Sequence, residues 1–273
     1  MNEVSHKMLT LYFSGTGNTE YLAQLFSRKM NAKCLSIEDT PRGTNFAAEI
    51  KTHSIIAFCY PVYCSRVPRI MREFVHKHIS DLIGKKVIIF ATQMMFSGDG
   101  ARVFTDMFAD GAIEIIYAEH FNMPINMGNT LIFDLLEPND KSIQKCIQKT
   151  EAKINRVCNN IKNCVIKKRG FAKGSVLLGY IQGKPWQKNT KDITAQGLEK
   201  LVKNSVKIHS NCNACSICTK ICPMGNLVEC EGQVQQQNNC IACYRCVNYC
   251  PQKAITVLIH RKPRWQYKGM GKI

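Results

Sequence analysis

Met8-Leu9-Thr10-Leu11-Tyr12-Phe13-Ser14-Gly15-Thr16-Gly17-Asn18-Thr19 leaves a short apolar run, crosses a loop of hydroxyls and glycines, and enters the helical spacing of Leu22, Leu25, Phe26 and Met30. This is strand, loop, helix. The pattern recurs. Apolar runs at Ser54 to Cys59 and Val87 to Ala91 each end in a loop and lead into helix-spaced segments at Val67 to Ile79 and Ala101 to Phe108. Pro68 suits a helix first turn. After the apolar run Ile113 to Tyr117, a last helix is predicted from about Asp140 to Asn163, with Ile143, Ile147, Ile154, Val157, Cys158 and Ile161 along one side. Such alternation predicts an α/β fold, a doubly wound parallel sheet covered on both faces.

In sheets of this kind ligands bind at the carboxyl ends of the strands where the winding reverses, so the loop after the first strand is the expected site. In Ser14, Gly15, Thr16, Gly17, Asn18 and Thr19, hydroxyls and small glycines let backbone N–H groups converge on a phosphate. The following helix N-terminus adds partial positive charge. No Lys follows the glycines, which excludes a Walker A loop, and the spacing is not GxGxxG.

Ser14-x-Thr16-Gly17-x-Thr19 after the first strand resembles the FMN phosphate loop of flavodoxins, and the likeness extends over residues 7–165. It implies a five-stranded parallel sheet and two further loops holding the flavin ring. The corresponding positions are Tyr60, Pro61, Val62 and Tyr63 after the third strand, and the stretch from Thr92 and Gln93 to Gly100 after the fourth. Tyr63, and after it Tyr60, is the candidate to stack on the ring, an aromatic contact of roughly 0.5–1.5 kcal/mol beyond area burial. Either could instead be an ordinary buried tyrosine. Ser97, Gly98, Asp99 and Gly100 could bring backbone donors to the ring's polar edge, or form only a turn.

The second half carries two runs of identical spacing, Cys212-x2-Cys215-x2-Cys218-x3-Cys222-Pro223 and Cys240-x2-Cys243-x2-Cys246-x3-Cys250-Pro251. Three thiolates two residues apart can wrap one cubane, while the fourth is carried away from it and the proline stops the short helix. Zinc sites instead usually pair two hooks of two ligands. The runs resemble those of bacterial two-cluster ferredoxins, in which the fourth cysteine ligates the other cluster. That resemblance covers residues 208–258. It implies two 4Fe-4S clusters, one on Cys212, Cys215, Cys218 and Cys250, the other on Cys240, Cys243, Cys246 and Cys222. Leu227-Val228 and Ala254 to Val257 look like that family's paired short strands. So small a domain should draw much of its folding free energy from metal. The other seven of the 15 cysteines, Cys34, Cys59, Cys64, Cys146, Cys158, Cys164 and Cys230, read as small hydrophobes or spectators.

The expected organisation is an FMN domain over 1–165, a basic linker and connecting helix over 166–207, the cluster domain over 208–260 and a basic tail over 261–273. Val176 to Ile181 should pack partly on the flavin domain, and Ile193, Leu198, Leu201, Val202 and Val206 should form the connecting helix. Residues 1–160 carry 18 basic and 16 acidic side chains, whereas 161–273 carry 19 and 4. No run is long enough for a membrane span, and the first strand begins too early for a signal sequence to precede it, so a cytoplasmic protein is expected.

The whole chain looks like the flavodoxin-plus-ferredoxin proteins of anaerobes. The resemblance implies electron transfer, with single electrons relayed between the clusters, the FMN and an external redox protein. The basic flanks favour an acidic partner through electrostatic steering. Two alternatives stand beside the carrier. One is a flavin-dependent reductase of a quinone or nitro compound fed through the clusters. The other is a redox sensor touching nucleic acid through Lys167 to Arg169 and Arg261 to Trp265, although a solvated basic tail explains those charges more simply.

Overall fold

The computed structural model describes residues 8–63, 66–183 and 197–271. Strands β1 (Met8–Tyr12), β2 (Lys33–Ser36), β3 (Ile55–Pro61), β4 (Lys86–Gln93), β5 (Glu114–Asn122) and β6 (Lys167–Lys168) form one parallel sheet in the order β2-β1-β3-β4-β5-β6. The winding reverses between β1 and β3, so the loop after β1 lies at the switch point. The helices of this half are α1 (Asn18–Met30), α2 (Phe46–Thr52), α3 (Arg69–Lys77), α4 (Ile79–Leu82), α5 (Asp140–Lys162) and α6 (Lys173–Gly183).

Alternation along the central strands feeds two cores. Leu9, Leu11, Ile56, Phe58, Val87 and Ile89 face α2 and α3, while Met8, Ile55, Ala57, Ile88 and Phe90 face α1 and α5. Helix α5 buries Ile154, Val157, Cys158 and Ile161 of the predicted stripe, with Ile143 and Ile147 only partly covered, and begins with a capping box between Asn139 and Ser142.

Three local expectations are corrected. The sheet has six strands, because Lys167 and Lys168 pair with Tyr117 and Ala118 at the edge. Lys167 and the neighbouring Arg169 anchor this pairing. The fully buried Glu119 carboxylate takes Lys167 at 2.8 Å, Lys153 at 3.1 Å and Arg169 at 3.5 Å. Burial alone would raise the Glu119 pKa, but the Lys167 hydrogen bond and the Lys153 charge hold it below the ordinary carboxylate value. The segment expected as a helix over 101–108 is a single 3₁₀ stretch, Arg102–Met107, pinned where Arg102 grips Asp99 and Asp106 at 2.7 Å each. The connecting helix is only α7 (Gly197–Val202). Val206 has passed into a strand, and Ile193 lies outside the described residues.

The cysteine-rich half contains β7 (Val206–Ile208), α8 (Ile217–Ile221), β8 (Leu227–Cys230), β9 (Gln233–Gln236), α9 (Arg245–Tyr249) and β10 (Ile255–Val257). The two short pieces expected to pair with each other do not. β10 pairs with β7, and β8 forms a hairpin with β9. Its core is small, built on Val202, Leu227, Val234, Tyr244, Val247, Ile255 and Val257 around several cysteines. Of the scattered cysteines, Cys59 and Cys158 are buried, Cys34 and Cys146 half-buried, and Cys164 and Cys230 exposed, with Cys64 outside the described residues.

The basic tail is not a solvated strand of charge. Trp265, Tyr267 and Met270 are buried in the α1–α5 core, and Arg261 meets Asp134 at 2.8 Å. Among the described residues, no helix is long and apolar enough to cross a membrane.

Candidate functional site

The loop after β1 is shaped for close approach. Gly17, at φ 102°, turns the chain into α1, and its N–H donates to Ser14 Oγ at 3.0 Å. The N–H groups of Gly15 and Thr16 have no partner among the described residues. They lie beside the open first turn of the 13-residue helix α1. Gly15 cannot carry a side chain, because a Cβ there would lie 2.7 Å from the Cys243 carbonyl oxygen and 2.9 Å from Tyr63 Oη. The β1 loop therefore touches the second cysteine run directly.

Two cavities flank the loop, both lined by Ser14, Gly15 and Thr16. One, of about 320 Å³, adds Glu20, Glu38 and Asp39 together with Arg245, whose charge Glu38 already pairs, so the lining stays net acidic and repels phosphate. The other, of about 200 Å³, adds Asn18, Thr19, Pro61, Val62, Tyr63, Thr92 and Gln93 from the three strand ends, and Ala242 and Tyr244 from the second cysteine run. Polarity selects this second cavity for an anionic ligand. Thr19 and Thr92 join their hydroxyls across it at 2.7 Å. Tyr63 Oη is buried without a hydrogen-bond partner, and burial first, then the nearby Cys243, raises its pKa.

Not every predicted residue arrives there. Tyr60 is wholly buried in the sheet core, stacked on Phe104 at 5.8 Å, and its hydroxyl donates to the Gly100 carbonyl at 2.9 Å. Ser97, Gly98, Asp99 and Gly100 do not line the cavity. Helix α6 lies on them, and a Cβ on Gly179 would stand 2.4 Å from the Asp99 carboxyl carbon. Met123 to Met127 after β5, together with Phe133, complete the wall instead.

The two cysteine runs repeat a backbone device. Ala214 and Ser216 in the first and Ala242 and Tyr244 in the second have φ between 52° and 60°, the left-handed backbone from which anion-binding nests are built. Backbone N–H groups already reach sulfur: Asn226 to Cys222 at 3.2 Å, Ala242 to Cys240 at 3.3 Å and Ala254 to Cys250 at 3.3 Å. Burial pushes the Cys218 thiol up to about 11, and the thiolates that add to this are Cys250, Cys212 and Cys215. Cys246 is raised by burial and then by Cys243, Cys240, Cys222 and Cys218. Such thiols need cationic metal to release their protons.

Residues that motif reading missed join the halves. Arg245 Nε and Nη2 donate to the carbonyls of Gly15 and Ser14 at 2.9 and 2.6 Å, and its guanidinium forks onto Glu38 at 2.8 and 2.7 Å. Burial lowers the Arg245 pKa, but Glu38 and the nearby Cys243 outweigh this and raise it, so the cation is permanent. A chain of amides continues the contact. Asn126 Nδ2 reaches Thr16 Oγ1 and the Cys243 carbonyl, Asn248 Nδ2 reaches the Asn126 carbonyl, and Tyr267 Oη donates to Asn18 Oδ1 at 2.5 Å. One signal in the sequence pointed here: aligning the runs sets Arg245 against Ile217, a charge against an apolar residue.

Residues 9–120 match the Flavodoxin_5 family, a flavodoxin domain, and residues 235–256 match the Fer4 family, a 4Fe-4S binding domain. The chain thus joins a flavodoxin domain to an iron–sulfur domain of ferredoxin type, which defines an electron-transfer protein of the flavin and iron–sulfur class. The Fer4 match takes in the second cysteine run and not the first. Among solved structures, the chain is similar to two-electron reduced flavodoxin from Megasphaera elsdenii, with 21% identity, covering 54% of this chain and 98% of that one at a TM-score of 0.37. It is also similar to oxidised Flavodoxin 2 from Bacillus cereus, at 18% identity, 55% and 99% coverage and TM-score 0.35. Trp repressor binding protein from Bacillus subtilis is similar at 15% identity, 43% and 85% coverage and TM-score 0.35. Comparison with curated proteins gave no match.

Proposed function

We propose that the chain relays single electrons between two 4Fe-4S clusters and an FMN, and exchanges them with an external acidic redox protein. The observation that carries this reading is the cavity whose wall is shared by the β1 loop and the second cysteine run. The residues there suit FMN: unpartnered N–H groups at Gly15 and Thr16, hydroxyls of Ser14, Thr16 and Thr19, the first turn of α1, and the unpartnered Tyr63 hydroxyl. Ser14 to Thr19 would hold the phosphate. Pro61, Val62, Tyr63, Thr92 and Gln93 would border the ring. The thiols would divide crosswise, with Cys212, Cys215, Cys218 and Cys250 on one cluster and Cys240, Cys243, Cys246 and Cys222 on the other.

When bound, the flavin supplies one- and two-electron chemistry and the clusters one-electron steps, so the chain's task is position, burial and local charge. Arg245 and Asn126 keep the second run against the β1 loop. This sets a short path for charge. The N–H donors on Cys222, Cys240 and Cys250 favour the reduced, more negative centre. The cationic excess beyond residue 160 steers an acidic partner, and that association should weaken steeply with salt.

Anaerobic reconstitution tests the reading. Iron, sulfide and FMN are counted, and the three centres titrated. Two four-iron clusters per FMN is the expected result. Iron-loaded protein that refuses flavin would overturn it. Cys222→Ala separates the ligand assignments: electron paramagnetic resonance should lose the cluster built mainly from the second run and retain the other. The reverse loss would refute the crosswise division.

A further inference from the structure

Beyond the cofactor sites, a cavity of about 740 Å³ opens between the carboxyl ends of β4 and β5 and helix α5. Its volume lies within the range usual for drug-sized ligands, roughly 300–1,000 Å³. The floor is apolar: Met94, Met95 and Met123 contribute thioethers, and Phe121, Ile125 and Leu136 the rest. Flexible thioethers mould themselves to flat hydrophobic bodies. Met95, at 58% exposure, and Leu136, at 48%, remain uncovered.

The rim has one sign. Lys145, Lys149, Lys153 and Arg156 follow each other along one stripe of α5, and no carboxylate lines the cavity. Like charges four residues apart weaken a helix, so the stripe is not there for helix stability. Lys153 is engaged, since its Nζ meets Glu119 and stands 4.9 Å over the Phe121 ring. Lys145, Lys149 and Arg156 have no acidic partner among the described residues and are exposed. An apolar floor beneath unpaired cations suits a ligand with a flat hydrophobic body and a negative head.

We propose that this cavity is a binding site for an aromatic organic anion, separate from the pocket assigned to FMN, with Lys149 and Arg156 taking the anionic group. The two cavities share Met94, Met123, Pro124 and Ile125 as a common wall, so the bound anion lies one layer of side chains from the β1-loop pocket. The site itself stands on its own lining and does not depend on what the neighbouring pocket holds.

The test is calorimetric titration of the reconstituted full-length chain with 2-naphthoate, beside the oppositely charged 2-naphthylmethylammonium and beside acetate. One naphthoate should bind per chain, more weakly at high salt, and the ammonium and acetate should not bind. The double variant Lys149→Glu and Arg156→Glu should weaken naphthoate by roughly tenfold or more, because two exposed attractions become repulsions. Ala152→Trp, at an exposed lining position on α5, should block it. Both variants should retain FMN. Failure of naphthoate to bind, equal binding of the ammonium, or indifference to the charge reversal would each overturn the proposal. So would release of FMN mole for mole with naphthoate uptake, which would make the cavity the flavin's own ring site while leaving the electron-relay reading intact.

Discussion

The first and second cysteine runs have the same spacing, 28 residues apart from Cys212 to Cys240, and almost the same backbone. Each turns through two left-handed residues into a five-residue helix, α8 or α9. Their surroundings are opposite. In the first run Cys215 is exposed and Ile217 is 39% exposed, whereas in the second Cys243 is buried against the β1 loop and Arg245 clamps it. Spacing governs the turn-and-helix shape that the two runs share. Which run faces inward is governed by a few residues between the thiols: Ile241, Tyr244, Arg245 and Asn248 in place of Asn213, Ser216, Ile217 and Lys220. The second run therefore lies against the β1 loop, and the first turns Cys215 and Ile217 toward solvent.

The most severe way to break the comparison is to remove the metal. Thiolate–metal binding in small domains contributes on the order of 10 kcal/mol, and the core around Val247 and Ile255 is too small to replace it. In apoprotein, hydrogen exchange should show protection lost across both runs and across the tail around Tyr267, while β1, β3 and β4 stay protected. Retained protection in the second run alone would mean that the clamp, not the cluster, holds it.

Arg245→Ala comes next, at about 3 kcal/mol of destabilisation, because Glu38 and the three carbonyls of Ser14, Gly15 and Ile221 lose a partly buried cation. The matched change Ile217→Ala should cost under about 1 kcal/mol at its half-exposed site. Chemical denaturation of the holoprotein measures both. Equal effects would erase the distinction between inner and outer run. Tyr267→Phe should be smaller, about 1 kcal/mol, removing the hydrogen bond to Asn18 while leaving the buried ring in place. A shift in flavin affinity larger than that in stability would show that the tail acts through the first turn of α1.

Much of the fold was legible because periodicity reports burial. β1, β3, β4 and β5 are central strands with near-continuous apolar runs, and α5 carries a clean stripe. β6 was not legible. Lys167 and Lys168 are an edge pair held by a carboxylate 48 residues earlier, a contact that leaves no local pattern. The tail was missed for a similar reason: Trp265, Tyr267 and Met270 alternate with charged and polar residues, and only docking shows that they are buried. Within the candidate site, Ser14, Gly15, Thr16, Asn18, Thr19, Tyr63, Thr92 and Gln93 line one cavity. Tyr60 and Ser97 to Gly100 do not, because Tyr60 points inward by strand alternation and α6 lies over the loop.

Sequence alone determined the local machinery: a strand–loop–helix with glycines where backbone must approach closely, and thiols at intervals that make a short turn wrap a cluster. These are properties of neighbouring residues, set by dihedral limits and ligand reach. Tertiary structure decided which cysteine run meets the β1 loop, which aromatic lines the cavity and where the cationic stripe of α5 finds an apolar floor. Those depend on contacts between residues far apart in the chain, 249 positions for Tyr267 on Asn18, and no local spacing encodes them.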